Sequence, residues 1–452
     1  MSIKKTKLYR YIFLSILTLM VIFNGGYSDL SIQFNSIVIS TLFLFLLKEK
    51  NYFTHLKKIF ITNKIAIYLF IIFLIFLIFQ TLPIPIEIIK FLSPEKYKIL
   101  NSMIFENNFT SISLDPSNTF FNFLNYFSLF LYLMIFKCIF YKTSHIKNFY
   151  YFMTLLGAIS AAVGVYSLLK GNPDFFFIDN SSYKNSATGF FINRTVFSCF
   201  LVLCLFCGIE YVKSSNQYKN KSLDNFFKIF YIRVFILLIT IGIVTTFSRL
   251  GNFLFISMMI IYIMQLIYSN NPTNKLFLYT LITIILFDIL ILGYYFGSEK
   301  LLTRFSYLSD EITNFSQMPT QDSLSRYNLI YFAIREFKNF IFFGYGAGAF
   351  EYLFKVNYQN LTNLYTIHAH SDLVEFIGEF GLIGFILILL SILFSCKKKF
   401  FISFKNFLLL YLLLFILIFD FSLHIPIIQL LFVLLISVNY RKSKKSEYSV
   451  NN

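Results

Sequence analysis

Tryptophan is absent from this chain of 452 residues, acidic side chains number only 22, and 13% of positions are charged. Soluble domains carry about 25% charged residues. So little polar cover excludes the string of soluble domains that the length alone would suggest. A disordered chain is excluded as well, because it needs high charge and few apolar residues. Cysteine (5) and proline (8) are too scarce for a disulfide scaffold or a collagen-like repeat. No Gly-rich phosphate loop ending in Lys-Ser/Thr, no His-x-x-x-His and no carboxylate cluster of the magnesium-binding kind occurs, so nucleotide and metal signatures are both missing.

Phe (62), Tyr (31) and the aliphatic residues supply what is there: 57% of the chain is hydrophobic, and the mean hydropathy is +0.69. Apolar surface on that scale needs lipid to cover it. The expected fold is all-α and polytopic, with about 12 transmembrane helices. They lie near 8–24, 30–47, 65–82, 120–140, 149–168, 193–212, 230–248, 250–268, 276–296, 372–395, 406–421 and 424–440. Lys4, Lys5, Lys7 and Arg10 precede the first span and set the N-terminus in the cytoplasm. No small-residue cleavage site follows that span, so it reads as a retained helix. Alternation then places 26 of the 39 Lys and Arg on the cytoplasmic side. Of the remainder, six fall in one long loop and seven in short loops. The excess puts both termini in the cytoplasm; Asp420 and His424, at the turn of the last pair, fit this pattern least well.

Three segments of substance face the far side. The first, 83–119, is half-polar around Ile86–Leu100 and suits the interface. It ends at Asp115-Pro116, a helix start with Asp as N-cap and Pro at N1. The second, 169–192, leads to Asn193-Arg194. The third, 297–371, is a large periplasmic loop that should be partly helical, since Leu329, Ala333, Phe337 and Phe340 recur at helical spacing. The chain therefore divides into an N-terminal transmembrane region (1–192), a core that includes the loop (193–395), and C-terminal helices with a basic tail (396–452).

Few residues are equipped for chemistry. All five cysteines fall in or beside spans, and Cys204-Leu-Phe-Cys207 lies inside an apolar helix, so these thiols pack and no disulfide is expected. Arg194 and Arg249 stand at the outer mouths of spans, with Arg304 and Arg326 in the loop above. One such arginine serves as an anchor. Several at one surface suit a lipid-borne phosphate, because the guanidinium fork donates two parallel bonds and stays charged. His368 and His370 precede the tenth span, where imidazole can take a proton near neutrality. Glu375 and Glu379 share one face of that span, and carboxylates there are costly and usually functional or paired. Asp288, mid-way along the ninth span, falls under the same reasoning. Gly344-Tyr-Gly346-Ala-Gly348 is either a tight turn closing a helix or a place where backbone approaches a phosphate.

In chain order, Thr188-Gly189-Phe190-Phe191-Ile192-Asn193-Arg194, Thr246-Phe247-Ser248-Arg249, Arg326 through Gly344–Phe350, and His368-Ala369-His370-Ser371-Asp372 with Glu379-Phe380-Gly381-Leu382-Ile383-Gly384 resemble the motifs of the O-antigen ligase and polymerase superfamily of bacterial inner-membrane glycosyltransferases. Thr195 stands where many members have a second Asn, and Leu250 where Gly often follows Ser-Arg. The resemblance implies a multi-pass inner-membrane enzyme that uses a glycan on polyprenyl pyrophosphate, with no cofactor, no metal and no nucleic acid. It implies His370, Arg249 and Arg326 as the catalytic set. Arg194, Arg304, His368, Gly344, Gly346 and Glu379 would bind substrate. The expected activity is transfer to a lipid A–core acceptor. The alternatives are polymerisation of lipid-linked repeat units, a protein-glycan transferase or, from a different class, a twelve-span transporter. The transporter would predict repeats and midplane charges, of which only Asp288 is found.

Overall fold

The computed structural model describes residues 3–102, 107–174, 183–216, 223–268, 326–358, 366–396 and 403–438, with Tyr279, Ile282, Thr283 and Leu286 as isolated positions. The rest of the expected ninth span, with Asp288, as well as Arg304 and the basic tail, lie outside the described residues.

Helices make up nearly all of it. Eight are long and apolar enough to cross a membrane: α2 (Asp29–Lys48), α4 (Lys64–Thr81), α7 (Pro116–Ile139), α8 (Thr143–Leu169), α9 (Arg194–Asn216), α10 (Leu223–Thr245), α11 (Arg249–Tyr268) and α14 (Asp372–Ser395). Each coincides with an expected span. The first expected span falls on α1 (Ile3–Ile22), whose N-terminal turns carry Lys4, Lys5, Lys7 and Arg10 and so shorten its apolar run. The last two fall on α15 (Phe404–Phe419), as long as expected, and α16 (Pro426–Ser437), shorter than expected. The expected count of twelve is therefore matched by eight full-length candidates among the described residues. An unexpected helix, α3 (Lys50–Thr62), occupies the lysine-rich segment before α4.

Local chemistry sets the ends. The Asp115 carboxylate accepts from the Asn118 amide at 3.0 Å and caps α7, with Pro116 at its first turn. Ser28 caps α2 through the Ser31 amide. Pro426 opens α16. Between α4 and α7, α5 (Ile86–Leu92) and α6 (Pro94–Ser102) bring helix to the half-polar segment, clasped by a two-residue antiparallel pairing of Ile84–Pro85 with Phe109–Thr110.

The core centres on α9, whose apolar window is fully buried, whereas α2 is buried over only 28% of its window. A helix apolar all round must be enclosed, and α8, α10, α11 and α16 enclose it. Small residues allow the approach: a side chain at Gly242 of α10 would meet Ala161 of α8 at 2.6 Å. The cysteines are free thiols, and the four inside helices are buried, which accords with packing. A second cluster (Leu329, Phe332, Tyr345, Phe350, Leu353 and Phe354) joins α12 (Arg326–Phe337) and α13 (Phe350–Asn357) to the bundle. The expected helix from Arg326 is thus present.

Candidate functional site

The site is organised by α14, which is broken. Gly381 has φ +61° and ψ −177° in the midst of helix, a conformation open essentially to glycine alone. The break frees backbone groups that lipid cannot satisfy, and the segment after α12 satisfies them. Amides of Tyr345 and Gly346 donate to the carbonyls of Gly378 and Glu379, while amides of Leu382 and Ile383 donate to Ile341 and Phe342. Buried Gln80 of α4 adds Nε2 bonds to the Phe343 carbonyl (2.7 Å) and the Glu379 carbonyl (3.0 Å). The approach leaves no room for a side chain. A Cβ on Gly344 would lie 2.2 Å from the Glu379 carbonyl oxygen, and one on Gly381 would lie 2.4 Å from that of Phe342.

Asp372, Glu375 and Glu379 share one face of α14, at spacings of three and four. All three are at most 1% exposed, and each holds a different segment. Asp372 accepts from the Leu423 amide at 2.7 Å and bonds the Nδ1 of His424. Glu375 accepts from the Ala369 amide (2.8 Å) and pairs with His368 Nδ1 (2.9 Å). Glu379 accepts from the Gly348 amide (2.7 Å). The Nε2 of His424 lies 3.4 Å from Glu375 and 3.5 Å from Glu379, outside hydrogen-bond geometry. His424 belongs to a 3-10 turn, Ser422–His424, between α15 and α16. Burial lowers its basicity, but the neighbouring carboxyl groups of Glu375, Glu379 and Asp372 outweigh burial and hold it well above the ordinary histidine value.

His368 is the other linked imidazole. Its Nε2 lies 3.1 Å from the hydroxyl of Tyr27, in the turn between α1 and α2. Burial and then Glu375 raise the Tyr27 phenol, which stays protonated. The two contacts tie the ring to the turn between α1 and α2 on one side and to α14 on the other. His370 differs. It sits at φ +60°, unusual for a residue with a side chain, and its buried Nδ1 has no partner. Burial, then Arg326 and His368, push it down to about 4, so the ring is neutral at neutral pH. Phe421 stacks on His368 at 4.5 Å and meets His370 edge-on at 5.2 Å.

The arginines stand at helix starts. Asn193 caps α9 through the Thr195 amide (2.7 Å), and Arg194 follows it, its guanidinium 5.5 Å over the Tyr183 ring. Ser248 caps α11 through the Gly251 amide (3.2 Å), and Arg249 follows it. Phe247 just before has φ +49°. Arg326 opens α12 and reaches toward the Phe419 carbonyl at 3.4 Å. Bonds from Ala187 to Thr245 and from Ile192 to Asn24 tie these starts to the end of the bundle that carries Tyr27 and His368.

The structure therefore gathers His370, His368, Glu379, Arg326 and the Gly344–Gly348 turn around the start of α14. It sets Arg194 and Arg249 on neighbouring helix starts at that end. Arg304 lies outside the described residues. In the Gly-rich turn the amides of Gly344, Gly346 and Gly348 are already committed, to Phe340, the Glu379 carbonyl and the Glu379 carboxylate. The geometry is that of a turn locked to a broken helix. Sequence reasoning missed Tyr27, Gln80 and the role of His424. The available signal for His424 was a histidine and an aspartate at the tip of a hairpin too short to span.

Among the described residues, donor atoms of His368, Glu375 and His424 lie within 4.8 Å of one another, a grouping that could hold a cation. His368 and Glu375 already bond each other, and the Nδ1 of His424 is used by Asp372, so the same atoms also form a hydrogen-bonded network. Residues 234–389, from within α10 into α14, match the family described as O-antigen ligase. No curated protein matches the chain.

Proposed function

We propose, from the match of residues 234–389 to the family described as O-antigen ligase, that the chain is a glycosyltransferase of that superfamily and moves a glycan from a polyprenyl pyrophosphate carrier to a lipid A–core acceptor at the periplasmic face of the inner membrane. The acceptor hydroxyl attacks the anomeric carbon, the bond to pyrophosphate breaks, and the carrier leaves with the electron pair. Pyrophosphate is a good leaving group, so positioning and charge neutralisation carry most of the catalysis. Arg249 and Arg326 neutralise the departing charge, with Arg194 and Arg304 as further cations of the donor site. His370 takes the acceptor's proton on its neutral ring. Arriving anionic donor offsets Arg326 and raises the basicity of that ring. His368, Glu379 and the glycines at 344 and 346 shape the floor beneath. In this reading the core at 193–395 carries the reaction, and the segments at 1–192 and 396–452 brace it.

The observation that carries the reading is His370 just before α14, held at positive φ with its buried Nδ1 unpartnered, inside the matched segment. The test is transfer of labelled lipid-linked glycan in membranes, with donor binding measured in parallel. Arg249→Lys should lose most activity at unchanged expression, since lysine keeps the charge without the fork. His370→Ala should slow transfer by about 10²–10⁴-fold, the usual worth of a general base, with donor binding retained. Wild-type transfer in Arg249→Ala or His370→Ala would end the proposal. Elongation of lipid-linked repeats in place of lipid A–core modification would convert it to a polymerase.

A further inference from the structure

One face of α14 concentrates three buried carboxylates, and one side chain from outside the family-matched segment lies among all of them. His424 is 5% exposed at its side chain. It bonds Asp372 through Nδ1 and turns Nε2 between Glu375 and Glu379 at 3.4 and 3.5 Å. Those carboxylates in turn carry the parts of the site. Glu375 fixes the Ala369 amide and the His368 ring, and so the loop that holds His370 at positive φ. Glu379 fixes the Gly348 amide, and so the turn locked to the break in α14. Asp372 closes the circuit by accepting from Leu423, while its own amide donates to the Asp420 carbonyl at 2.9 Å.

We infer that His424 is a positioning residue for the transfer reaction: lying between the three α14 carboxylates, it holds the His370 loop and the Gly-rich turn in register with each other. Three carboxyl groups on one buried helix face repel one another when ionised, and a histidine ring set among them offsets that repulsion. His368 meets only Glu375, whereas His424 meets all three. Without it, Glu375 and Glu379 would drop their backbone partners, and His370 would move relative to Arg326. Misplacement by about 1 Å is enough to cost on the order of 10²-fold in rate. Phe376, stacked on His424 at 4.4 Å, and Phe421, stacked on His368, fix the ring planes.

The inference rests on the transfer reaction proposed above, and the experiment separates the two. Wild type, His424→Gln and the double variant His424→Gln/Glu379→Gln are purified in detergent and assayed for transfer with lipid-linked glycan. Gln cannot carry the charge; a Gln at 379 still accepts from the Gly348 amide. His424→Gln should lower kcat by about 10–10²-fold while KM for the donor stays near wild type, with some fall in melting temperature that the double variant also recovers. The double variant should recover much of the loss, because it removes one uncompensated carboxylate. A His424→Gln enzyme with wild-type kcat overturns the inference. So does a loss of kcat that tracks a fall in melting temperature and is not recovered by the second change, since that marks mere support of the fold. Loss of wild-type transfer to EDTA, restored by a divalent metal alone, would also overturn it and make His424 a ligand. A wild-type chain that transfers nothing removes the reaction itself.

Discussion

His370 holds its ring in an environment that favours the neutral form, and that has a consequence for pH. Its value near 4 lies below the ordinary 6.5 because of burial, then Arg326 and His368. A depressed histidine contributes stability that is complete above its unfolded value and is lost as pH falls through the folded one. Free enzyme should therefore keep a competent base well below pH 6.5, and the acid limb of kcat/KM should fall nearer 4 than 6.5. Arg326→Gln removes one depressing charge and should move that limb upward, apart from its effect on rate. A pH profile of transfer checks both, and an acid limb at 6.5 in the wild type would contradict the assignment. Most residues of this site were visible in the sequence as polar groups where polarity is costly: His368, His370, Glu375, Glu379 and the helix-start arginines. His424 was visible only as an anomaly in the topology. A carboxylate's partner is set by how helices meet, and the meeting of the 420–424 turn with the start of α14 has no signature in the spacing of either.

At the scale of the element, the break in α14 joins the span to its loop. The sequence showed Gly381 and the three glycines of the 344–348 turn as separate motifs. It could not show that the carbonyls freed by one are the acceptors for amides of the other. Gly381→Ala should be severe, since φ +61° with ψ −177° excludes a side chain and the added carbon would meet the Phe342 carbonyl. The expected outcome is a lower melting temperature in detergent and transfer below about a tenth of wild type, because both the turn and Glu379 shift with it. An alanine variant that melts and transfers like wild type would mean that the break is not needed. Helix α3 escaped notice for the opposite reason. Its lysines read as loop charge, although Tyr52 and Leu56 bury one face of a helix.

Across the whole molecule, hydropathy located the eight long spans because burying a continuous apolar run in lipid leaves little choice of structure. Loop charge predicts an orientation, which tags can test. Tags after Asn270 and after Tyr448 should report the cytoplasm, and one near Ser316 the periplasm; a cytoplasmic reading at Ser316 would reverse the assignment. The last two helices obey a different constraint. At 1.5 Å per residue, α15 with 16 residues and α16 with 12 extend roughly 24 and 18 Å, against a hydrocarbon layer of about 30 Å. The lower end of α16 is closed by Lys405, whose ammonium donates to the carbonyls of Leu435 (2.9 Å) and Val438 (2.5 Å). Helix α16 is enclosed by α1, α7, α9 and α15 and buries nine of its twelve residues, so protein rather than lipid covers it, and a hairpin too short to cross alone is tolerated. Asp420 and His424 at its tip are then polar groups whose solvent is the bundle itself.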